Sequence, residues 1–195
     1  YDKTIKMRLL RLLLGLITLC FFLIGCESGL FSPRLSLEDL VQQEGIYYQM
    51  FSDIPFTGKV YGSSAGKLQK GVREGNWEYF HDNGKIRGKG EYSAGLQTGG
   101  WKYFNENGQL VKEGVYKKGK KTENWKAYHD NGQLISKGNF KDGFKDGPWK
   151  YYYKSGQLGQ SGDYKNGKRN GDWVYIHQNG QLLSKGFYEE GKKVR

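Results

Sequence analysis

Three histidines lie at one interval along the chain and are the first candidates for metal ligands. His81, His129 and His177 are separated by equal intervals, so they occupy one position in a regular pattern. If that interval contains four strands, neighbouring histidines are ~19 Å apart because strands lie ~4.8 Å apart. A metal–nitrogen bond is only ~2 Å long, so these side chains cannot share one ion. We predict no metal site and interpret them as residues of half-exposed strands.

Carboxylates also recur, at Asp82, Glu106 and Asp130. Glycosidases hold two carboxyl groups ~5–10 Å apart, and an interval of two strands places these residues ~10 Å apart. Each one stands at the same place before a glycine, however, which is typical of a turn residue. The sequence contains no Ser–His–Asp constellation, phosphate-binding loop or dinucleotide fingerprint. We therefore predict a protein that is not an enzyme and needs no cofactor.

The pattern behind these positions is a tandem repeat with a 24-residue period and no helical period. A fixed period of this length is typical of one structural unit that is copied and stacked. Its clearest members are five tryptophans and the five glycines that follow them at a constant separation: Trp77, Trp101, Trp125, Trp149 and Trp173, with Gly90, Gly114, Gly138, Gly162 and Gly186.

Two turns in each unit predict the strand pairing. An Asn-Gly turn between aromatic segments is typical of a type I′ hairpin, and it pairs each tryptophan with the glycine that follows it in this set, as Trp125 with Gly138. We expect each indole to lie over that glycine, in the room that a missing Cβ leaves. A second turn, such as Asp142-Gly143, then pairs Gly138 with Gly147.

Strand alternation divides the side chains between two faces. The tryptophans, the glycines and Leu110 share one apolar face. The other face carries lysines, carboxylates and a narrow apolar seam in which Phe104 pairs with Val111. The aromatic seam residues Phe104, Tyr128 and Tyr152 are either core residues or a platform on which sugar rings stack.

The predicted fold is all-β, an elongated antiparallel meander of tandem 24-residue β-hairpins with about ten strands. Residues 77–195 hold five repeats, and residues 35–76 form an N-terminal cap with a degenerate repeat. In this cap we predict a helical turn capped by Ser36 and a strand over residues 45–51. One unit buries too little apolar surface to fold alone, so stability comes from stacking of neighbours.

The first 26 residues resemble an export signal with a lipid attachment site. A basic segment after Met7, the natural start, precedes a largely apolar run over residues 12–24, which is too short for a comfortable membrane span. Leu23-Ile24-Gly25-Cys26 resembles a bacterial lipoprotein box, in which the cysteine is acylated and becomes the amino terminus. We predict a signal peptide over residues 1–25 and a lipidated tether over residues 26–34. An ordinary signal anchor is the alternative.

The chain is basic. Residues 1–25 hold four basic residues and one acid, which is +3 of the total charge of +11 and leaves +8 for the rest. Lysine-rich turns such as 117–121 either keep a sheet soluble or form a stripe that meets anionic lipid, wall polymer or an acidic protein. Export argues against nucleic acid as a partner.

The string Trp101-Lys-Tyr-Phe-Asn-Glu-Asn-Gly108-Gln-Leu110, followed by Gly114-Val-Tyr116-Lys-Lys-Gly119-Lys, resembles the bacterial variant of the MORN repeat. That variant occurs in proteins named as YwqK-family antitoxin components. The resemblance extends over residues 77–195 and, weakly, over residues 45–76. It implies β-hairpin units and a role in protein or membrane contact, and it transfers no catalytic residue. The antitoxin name implies neutralisation of a toxin by binding.

Together these features predict a lipid-anchored repeat protein of the bacterial cell envelope, held at the outer membrane if the cell has two membranes. We expect a non-catalytic scaffold that binds a protein or an envelope component. Two alternatives stay open: an antitoxin or immunity protein that binds a toxin, and a module that binds glycans or anionic lipid.

Overall fold

The computed structural model describes residues 34–195, and most of them lie in strands or in the turns between strands. The predicted signal peptide and the predicted lipid attachment at Cys26 lie outside the described residues. None of the helical segments within residues 34–195 has both the length and the hydropathy needed to cross a bilayer. A 3-10 helix (Leu37–Asp39) is followed by β1 (Leu40–Gln43), β2 (Ile46–Gln49), β3 (Gly58–Val60), β4 (Ser64–Gln69), β5 (Val72–Phe80), β6 (Ile86–Ser93), β7 (Leu96–Phe104), β8 (Leu110–Lys117), β9 (Lys120–Tyr128), β10 (Leu134–Lys141), β11 (Phe144–Tyr152), β12 (Leu158–Lys165), β13 (Lys168–Ile176), β14 (Leu182–Glu189) and β15 (Lys192–Lys193).

Thirteen strands form one antiparallel sheet in which each strand pairs with its neighbours in sequence, from β3 at one edge to β15 at the other. At ~4.8 Å between strands, the sheet extends roughly 58 Å across its strands. The predicted all-β meander of hairpins is confirmed. It has more strands than the ten predicted because β3, β4 and β15 join it, whereas β1 and β2 form a separate hairpin.

The cap segment contains the predicted local elements. The Ser36 backbone N–H and Oγ–H both donate to Asp39 Oδ2, at 2.7 and 2.9 Å, and close the predicted helical turn. The predicted strand over residues 45–51 is observed as β2. A cluster of buried side chains joins the cap to the first tryptophan: Leu40, Tyr47, Val60, Leu68 and Trp77.

The turns after β6, β8, β10 and β12 are type I′. At Asp142-Gly143, for example, both central residues have positive φ, 51° and 92°. That geometry matches the right-handed twist of the flanking strands. The second turn of each unit is therefore placed where the sequence predicts it.

The Asn-Gly turns have another geometry, and the prediction of type I′ turns there is wrong. Gly84 has a φ of +78° whereas Asn83 has none in the positive region, and the Gly84 N–H donates to His81 O at 2.8 Å. This is a type I turn followed by a left-handed glycine and a bulge. The extra residue makes Phe104 pair with Leu110 instead of Val111.

The same bulge corrects the predicted faces. Directly paired residues of neighbouring strands point to one face of the sheet. Leu110 pairs with Phe104, and Leu134 pairs with Tyr128, so these leucines lie on the seam side. The prediction that Leu110 shares the tryptophan face is therefore wrong.

The predicted pairing of each tryptophan with the repeat glycine of its own hairpin is confirmed in all five units, as for Trp125 with Gly138. The pairing between hairpins differs from the prediction. Gly138 pairs with Trp149, and Asn139 pairs with Asp146. Gly147 is therefore not the partner of Gly138, because two residues bulge out of the ladder at that point.

The glycine that makes room for an indole belongs to the preceding hairpin. A Cβ on Gly90 would lie 2.3 Å from Cδ2 of Trp101, whereas its hairpin partner is Trp77. Each indole thus lies over the glycine of the unit before it, which corrects our expectation. Gly66 of the cap provides this space for Trp77. The glycine–indole pairs are Gly66 with Trp77, Gly90 with Trp101, Gly114 with Trp125, Gly138 with Trp149, and Gly162 with Trp173.

Candidate binding face

The tryptophan face is a packed core. The five indoles are at most 4% exposed, and each indole N–H donates to a backbone carbonyl of the preceding hairpin, as from Trp101 to Glu91 O at 3.2 Å. The rings of Tyr92 and Trp101 meet edge to face, with centroids 5.3 Å apart. Aromatic pairs in this geometry stabilise a core beyond the area that they bury.

Basic side chains lie against the aromatic rings of this face. Lys145 Nζ is 4.3 Å from the ring centroid of Trp149, a cation–π distance. Burial, together with the charges of Lys112 and Lys145, lowers the pKa of Lys121. Lys112 pairs with Ala127, which occupies the position of a tyrosine in the other four units. Four units have a cation at one equivalent position: Arg73, Lys121, Lys145 and Arg169.

The opposite face carries a central row of mostly charged side chains, one per strand. Three consecutive members, Lys126, Lys137 and Lys150, are all exposed and directly paired across β9, β10 and β11. Lys126 has Glu113 Oε1 at 3.8 Å, whereas Lys137 and Lys150 make no ion pair within residues 34–195. The charged row is Glu78, Lys89, Lys102, Glu113, Lys126, Lys137 and Lys150.

The predicted seam residues Phe104, Tyr128 and Tyr152 form a second row on this face and are half-buried. Each contacts a member of the charged row. Lys89 Nζ is 6.0 Å from the Phe104 ring centroid, and Lys137 Nζ is 6.0 Å from that of Tyr152. The Tyr128 hydroxyl donates to Glu113 Oε1 at 2.7 Å. Burial, and then this hydrogen bond, raise the pKa of Tyr128 to about 12.

A groove of about 780 Å³ runs along the charged row. Its volume is within the range of ~300–1,000 Å³ that ligand sites occupy. Backbone at glycines, including Gly90, Gly100 and Gly114, forms part of its lining, so a ligand can approach the sheet closely. The charged residues in its lining are Glu78, Lys89, Glu91, Lys102, Glu113 and Lys126.

A smaller cavity of about 200 Å³ lies at the far end of the seam. Tyr152, Tyr153 and Leu183 contribute to its lining. It exists where Gly159 replaces the larger side chain of other units, since a Cβ there would lie 3.0 Å from the Tyr153 ring. Departure from the repeat thus leaves a small indentation beside one seam tyrosine.

The two long edges of the sheet differ in charge. The type I′ turns place lysines such as Lys118 and Lys120 beside the exposed side chains of Leu96 and Phe144. The Asn-Gly turns at the other edge are linked by hydrogen bonds between units. His81 Nε2 and Phe104 O are 2.9 Å apart, and the Asn83 amide donates to Glu106 O at 2.8 Å.

The histidines follow β5, β9 and β13, with three strands between each successive pair. Their side chains are thereby assigned to separate turns along one edge. Within residues 34–195, no group of three His, Cys, Asp or Glu side chains is arranged to hold a metal ion.

The repeated hairpin is recognisable by comparison with known families. The model of the MORN repeat variant matches five segments that together cover more than half of the chain: residues 73–94, 97–118, 124–142, 145–166 and 169–192. This chain belongs to the MORN repeat variant family. Each matched segment follows one hairpin, from β5–β6 to β13–β14. Four of the five segments begin four residues before their tryptophan, and the third begins one residue before Trp125.

Solved structures resemble the MORN array only weakly. The GtfA/B complex bound to UDP and GlcNAc matches at 16% identity over 82% of this chain and 27% of that chain, with a TM-score of 0.19. Accessory secretory protein 1, 2 and 3 of Streptococcus pneumoniae matches at 15% identity over 80% and 23%, with a TM-score of 0.21. The chain spans about a quarter of the length of these solved chains. A comparison with curated proteins found no match.

The continuous charged row of the MORN array is only partly evident from the sequence. The tryptophan–glycine register already implies that Lys126 pairs with Lys137 within one hairpin. The pairing of Lys137 with Lys150 in the next hairpin depends on the two-residue bulge. The glycine two residues before four of the five tryptophans is the signal for that bulge, because glycines inside strands mark irregular strand pairing.

Proposed function

We propose that this MORN array is an exported protein of the bacterial cell envelope, anchored by a lipid on Cys26. In a cell with two membranes we assign it to the outer one. The array acts as a non-catalytic scaffold that binds a protein or an envelope component through its charged face. The support for the anchor is the basic and apolar sequence over residues 7–24, followed by the lipoprotein-like box that ends at Cys26.

The groove and charged row carry the binding part of the proposal. The tryptophan face is filled by its own rings and cations, whereas the charged face exposes Lys126, Lys137 and Lys150 beside a groove with glycine in its lining. An open groove of this size with convergent charged side chains is typical of a recognition surface. Its elements repeat from unit to unit, which favours an extended ligand over a small substrate.

The anchor is tested with Cys26→Ser, and Cys20→Ser in the predicted signal peptide is the matched control. Cells that express each variant are labelled with an alkyne fatty acid and fractionated. We expect Cys26→Ser to lose the label and to move the protein from the membrane to the soluble fraction, because acyl chains supply the attachment. Retention of the label by Cys26→Ser would contradict the proposed anchor.

Binding through the charged face is tested by photo-crosslinking in intact cells. A photoreactive amino acid replaces Lys102 or Lys126 on that face, and Lys117 or Lys118 in the basic turn edge serves as control. We expect a discrete high-mass adduct from the first pair only. Equal yields from all four positions, or no adduct from any of them, would count against a specific binding face.

A toxin is the second candidate partner, and its support is the resemblance to antitoxin components. An immunity role predicts that the protein rescues cells from a toxin encoded beside it. Co-expression of the two proteins, followed by a count of surviving cells, is the direct measurement. Survival that is unchanged by the protein would remove this candidate and leave the scaffold proposal intact.

A further inference from the structure

We propose that the charged face binds a linear, negatively charged polysaccharide, whose chain crosses the strands along the charged row. This inference rests on the proposed scaffold function and assigns its ligand class. Four observations carry it: the unpaired lysines, the aromatic row beside them, the spacing of both rows, and the glycine lining of the groove.

The part of the row over β9–β11, which contains lysines alone, calls for an anion. Lys126, Lys137 and Lys150 stand directly opposite one another on adjacent strands, and like charges in that position destabilise a sheet. Glu113 lies 3.8 Å from Lys126, but within residues 34–195 the other two lysines have no carboxylate partner. A bound polyanion relieves this repulsion and converts it into charge-assisted hydrogen bonds.

Aromatic rings beside these lysines suit a sugar chain. Lys89 and Lys137 each place Nζ 6.0 Å from the ring centroid of a seam residue, Phe104 and Tyr152 respectively. Pyranose rings present C–H groups that pack on aromatic faces, while carboxylate, sulfate or phosphate groups project from the ring edges. A cation and an aromatic ring within one unit can therefore contact one acidic sugar.

The spacing of the rows distinguishes a polysaccharide from an acidic peptide. Over β9–β11 the lysines of the row recur at every strand, ~4.8 Å apart, and the seam aromatics recur at every second strand, ~9.6 Å apart. One pyranose advances an extended chain by about one strand spacing, so a disaccharide matches one repeat. Side chains on one face of an extended peptide recur every ~6.7 Å and lose step with the row within a few strands.

The groove gives such a chain access to the sheet. Gly90, Gly100 and Gly114 contribute to the lining of the 780 Å³ groove, and Lys126 lies at its end, toward the lysine cluster. A ligand that fills the groove over β4–β9 therefore continues onto Lys137 and Lys150 of the next two strands. The surface is contiguous, as a polymer requires.

The test measures binding of the full chain to oligogalacturonides of increasing length by biolayer interferometry at moderate salt. Neutral dextran, polyglutamate and vesicles of anionic phospholipid are the comparison ligands. We expect galacturonide affinity to rise with chain length until the groove is filled, with weaker binding to polyglutamate and none to dextran. Equal or tighter binding to polyglutamate or to the vesicles would overturn the proposal.

Two variants with equal loss of charge locate the site. Lys137→Gln with Lys150→Gln removes two members of the row, whereas Lys117→Gln with Lys118→Gln removes two turn lysines. We expect the first pair to weaken binding by about tenfold or more, as two charged hydrogen bonds imply, and the second pair by less than about threefold because screened, distant charges contribute little. Equal losses would show that binding follows net charge alone and would refute the site.

A third variant tests the aromatic row without a charge change. Tyr152→Leu should weaken galacturonide binding while circular dichroism and the thermal midpoint stay near those of the parent chain. Unchanged affinity would remove the stacking part of the proposal. If galacturonide does not bind but photo-crosslinking from the charged face persists, the ligand class fails and the scaffold function stands.

Discussion

At the scale of the residue, the packing of each indole depends on one absent methyl group. Gly114 leaves the space in which Trp125 lies, and a Cβ there would be 2.1 Å from Cδ2 of the indole. The backbone of the glycine and the rigid bicyclic ring cannot both keep their positions. Tryptophan and glycine are thus one structural pair, formed by residues of successive units.

We predict that Gly114→Ala lowers the free energy of unfolding by about 2–3 kcal/mol, because overpacking displaces a ring that is buried on all sides. Gly100→Ala is the matched control, since nothing lies within 4 Å of its Cβ position and its φ is not positive. It should change stability by less than about 1 kcal/mol. Urea unfolding curves of both variants measure the change. Equal losses of unfolding free energy would contradict the requirement for glycine beneath the indole.

Glu123 occupies a position that favours glycine. Its φ is +56°, whereas Gly75, Gly99, Gly147 and Gly171 stand at the equivalent bulge in the other units. A left-handed conformation costs a residue with a Cβ roughly 1–2 kcal/mol. Replacement by glycine removes that cost, but part of the gain is lost because glycine is more flexible in the unfolded chain.

Glu123→Gly is therefore predicted to raise the free energy of unfolding by about 0.5–1 kcal/mol. Thr122→Gly, one residue earlier in β9 and outside the positive-φ residues, should lower it. Thermal unfolding followed by circular dichroism measures both changes. A loss of stability in Glu123→Gly would mean that the carboxylate contributes more than the backbone strain removes.

At the scale of the element, pairs of tyrosines hold neighbouring strands together on the tryptophan face. The hydroxyl oxygens of Tyr79 and Tyr92 are 2.8 Å apart, and those of Tyr103 and Tyr116 are 3.2 Å apart. Burial, and then the hydrogen bond to the partner tyrosine, raise the pKa of Tyr79 and of Tyr103 well above the usual value of 10.0. These hydroxyls keep their protons in the folded sheet after an unfolded chain would lose them.

This difference sets the sign of the pH dependence. Above pH ~10 the unfolded chain binds fewer protons than the folded one, so stability falls as pH rises. We predict full stabilisation by these pairs below pH ~10 and progressive loss above it. Urea midpoints of the parent and of Tyr79→Phe with Tyr103→Phe are compared from neutral pH to about pH 11. The urea midpoint of the double variant should decline less steeply with pH than that of the parent. Tyr61→Phe, which lies outside the tyrosine pairs, should follow the parent.

The elements also show what the sequence can predict. Strand order, the position of the second turn and the tryptophan–glycine register follow from a period that repeats without a gap from Trp77 to Trp173. The Asn-Gly turn could not be assigned locally, because Asn-Gly fits both type I′ and a type I turn with a bulge. In the structure, Asn83 Oδ1 accepts from the Lys85 N–H at 3.0 Å while its amide donates to Glu106 O of the next unit. A contact between turns of successive units lies outside any local pattern.

The binding face was predicted only in part for a related reason. Phe104, Tyr128 and Tyr152 could be placed in one row from alternation alone. The charged row beside them needed the pairing between hairpins, which the bulge at Gly147 shifts by two residues. The sequence shows the glycine, but the side chains that the shift aligns are defined by tertiary pairing.

At the scale of the whole molecule, each unit depends on the one before it. Gly66 on β4, which precedes the first matched repeat, receives Trp77 although no tryptophan lies on β4 itself. At the other end of residues 34–195, the side chain of Lys193 covers Gly186 in the place that an indole takes over the other repeat glycines. The array is therefore directional: the cap supplies a glycine, and every later unit supplies both a glycine and an indole.

Translational symmetry makes the array tolerant of losing a whole unit. Deletion of residues 144–167, one 24-residue period, joins the type I′ turn at Gly143 to β13, so that Trp173 lies over Gly138 as Trp149 does in the parent. We expect a folded sheet with buried indoles. The unfolding free energy should depend less steeply on urea concentration, because that slope scales with the surface exposed on unfolding.

The control is deletion of residues 144–168, which removes one residue more and moves every later side chain to the other face. That variant should show red-shifted tryptophan fluorescence and lose cooperative unfolding, and identical behaviour of the two deletions would mean that stacking does not depend on the register of the indoles.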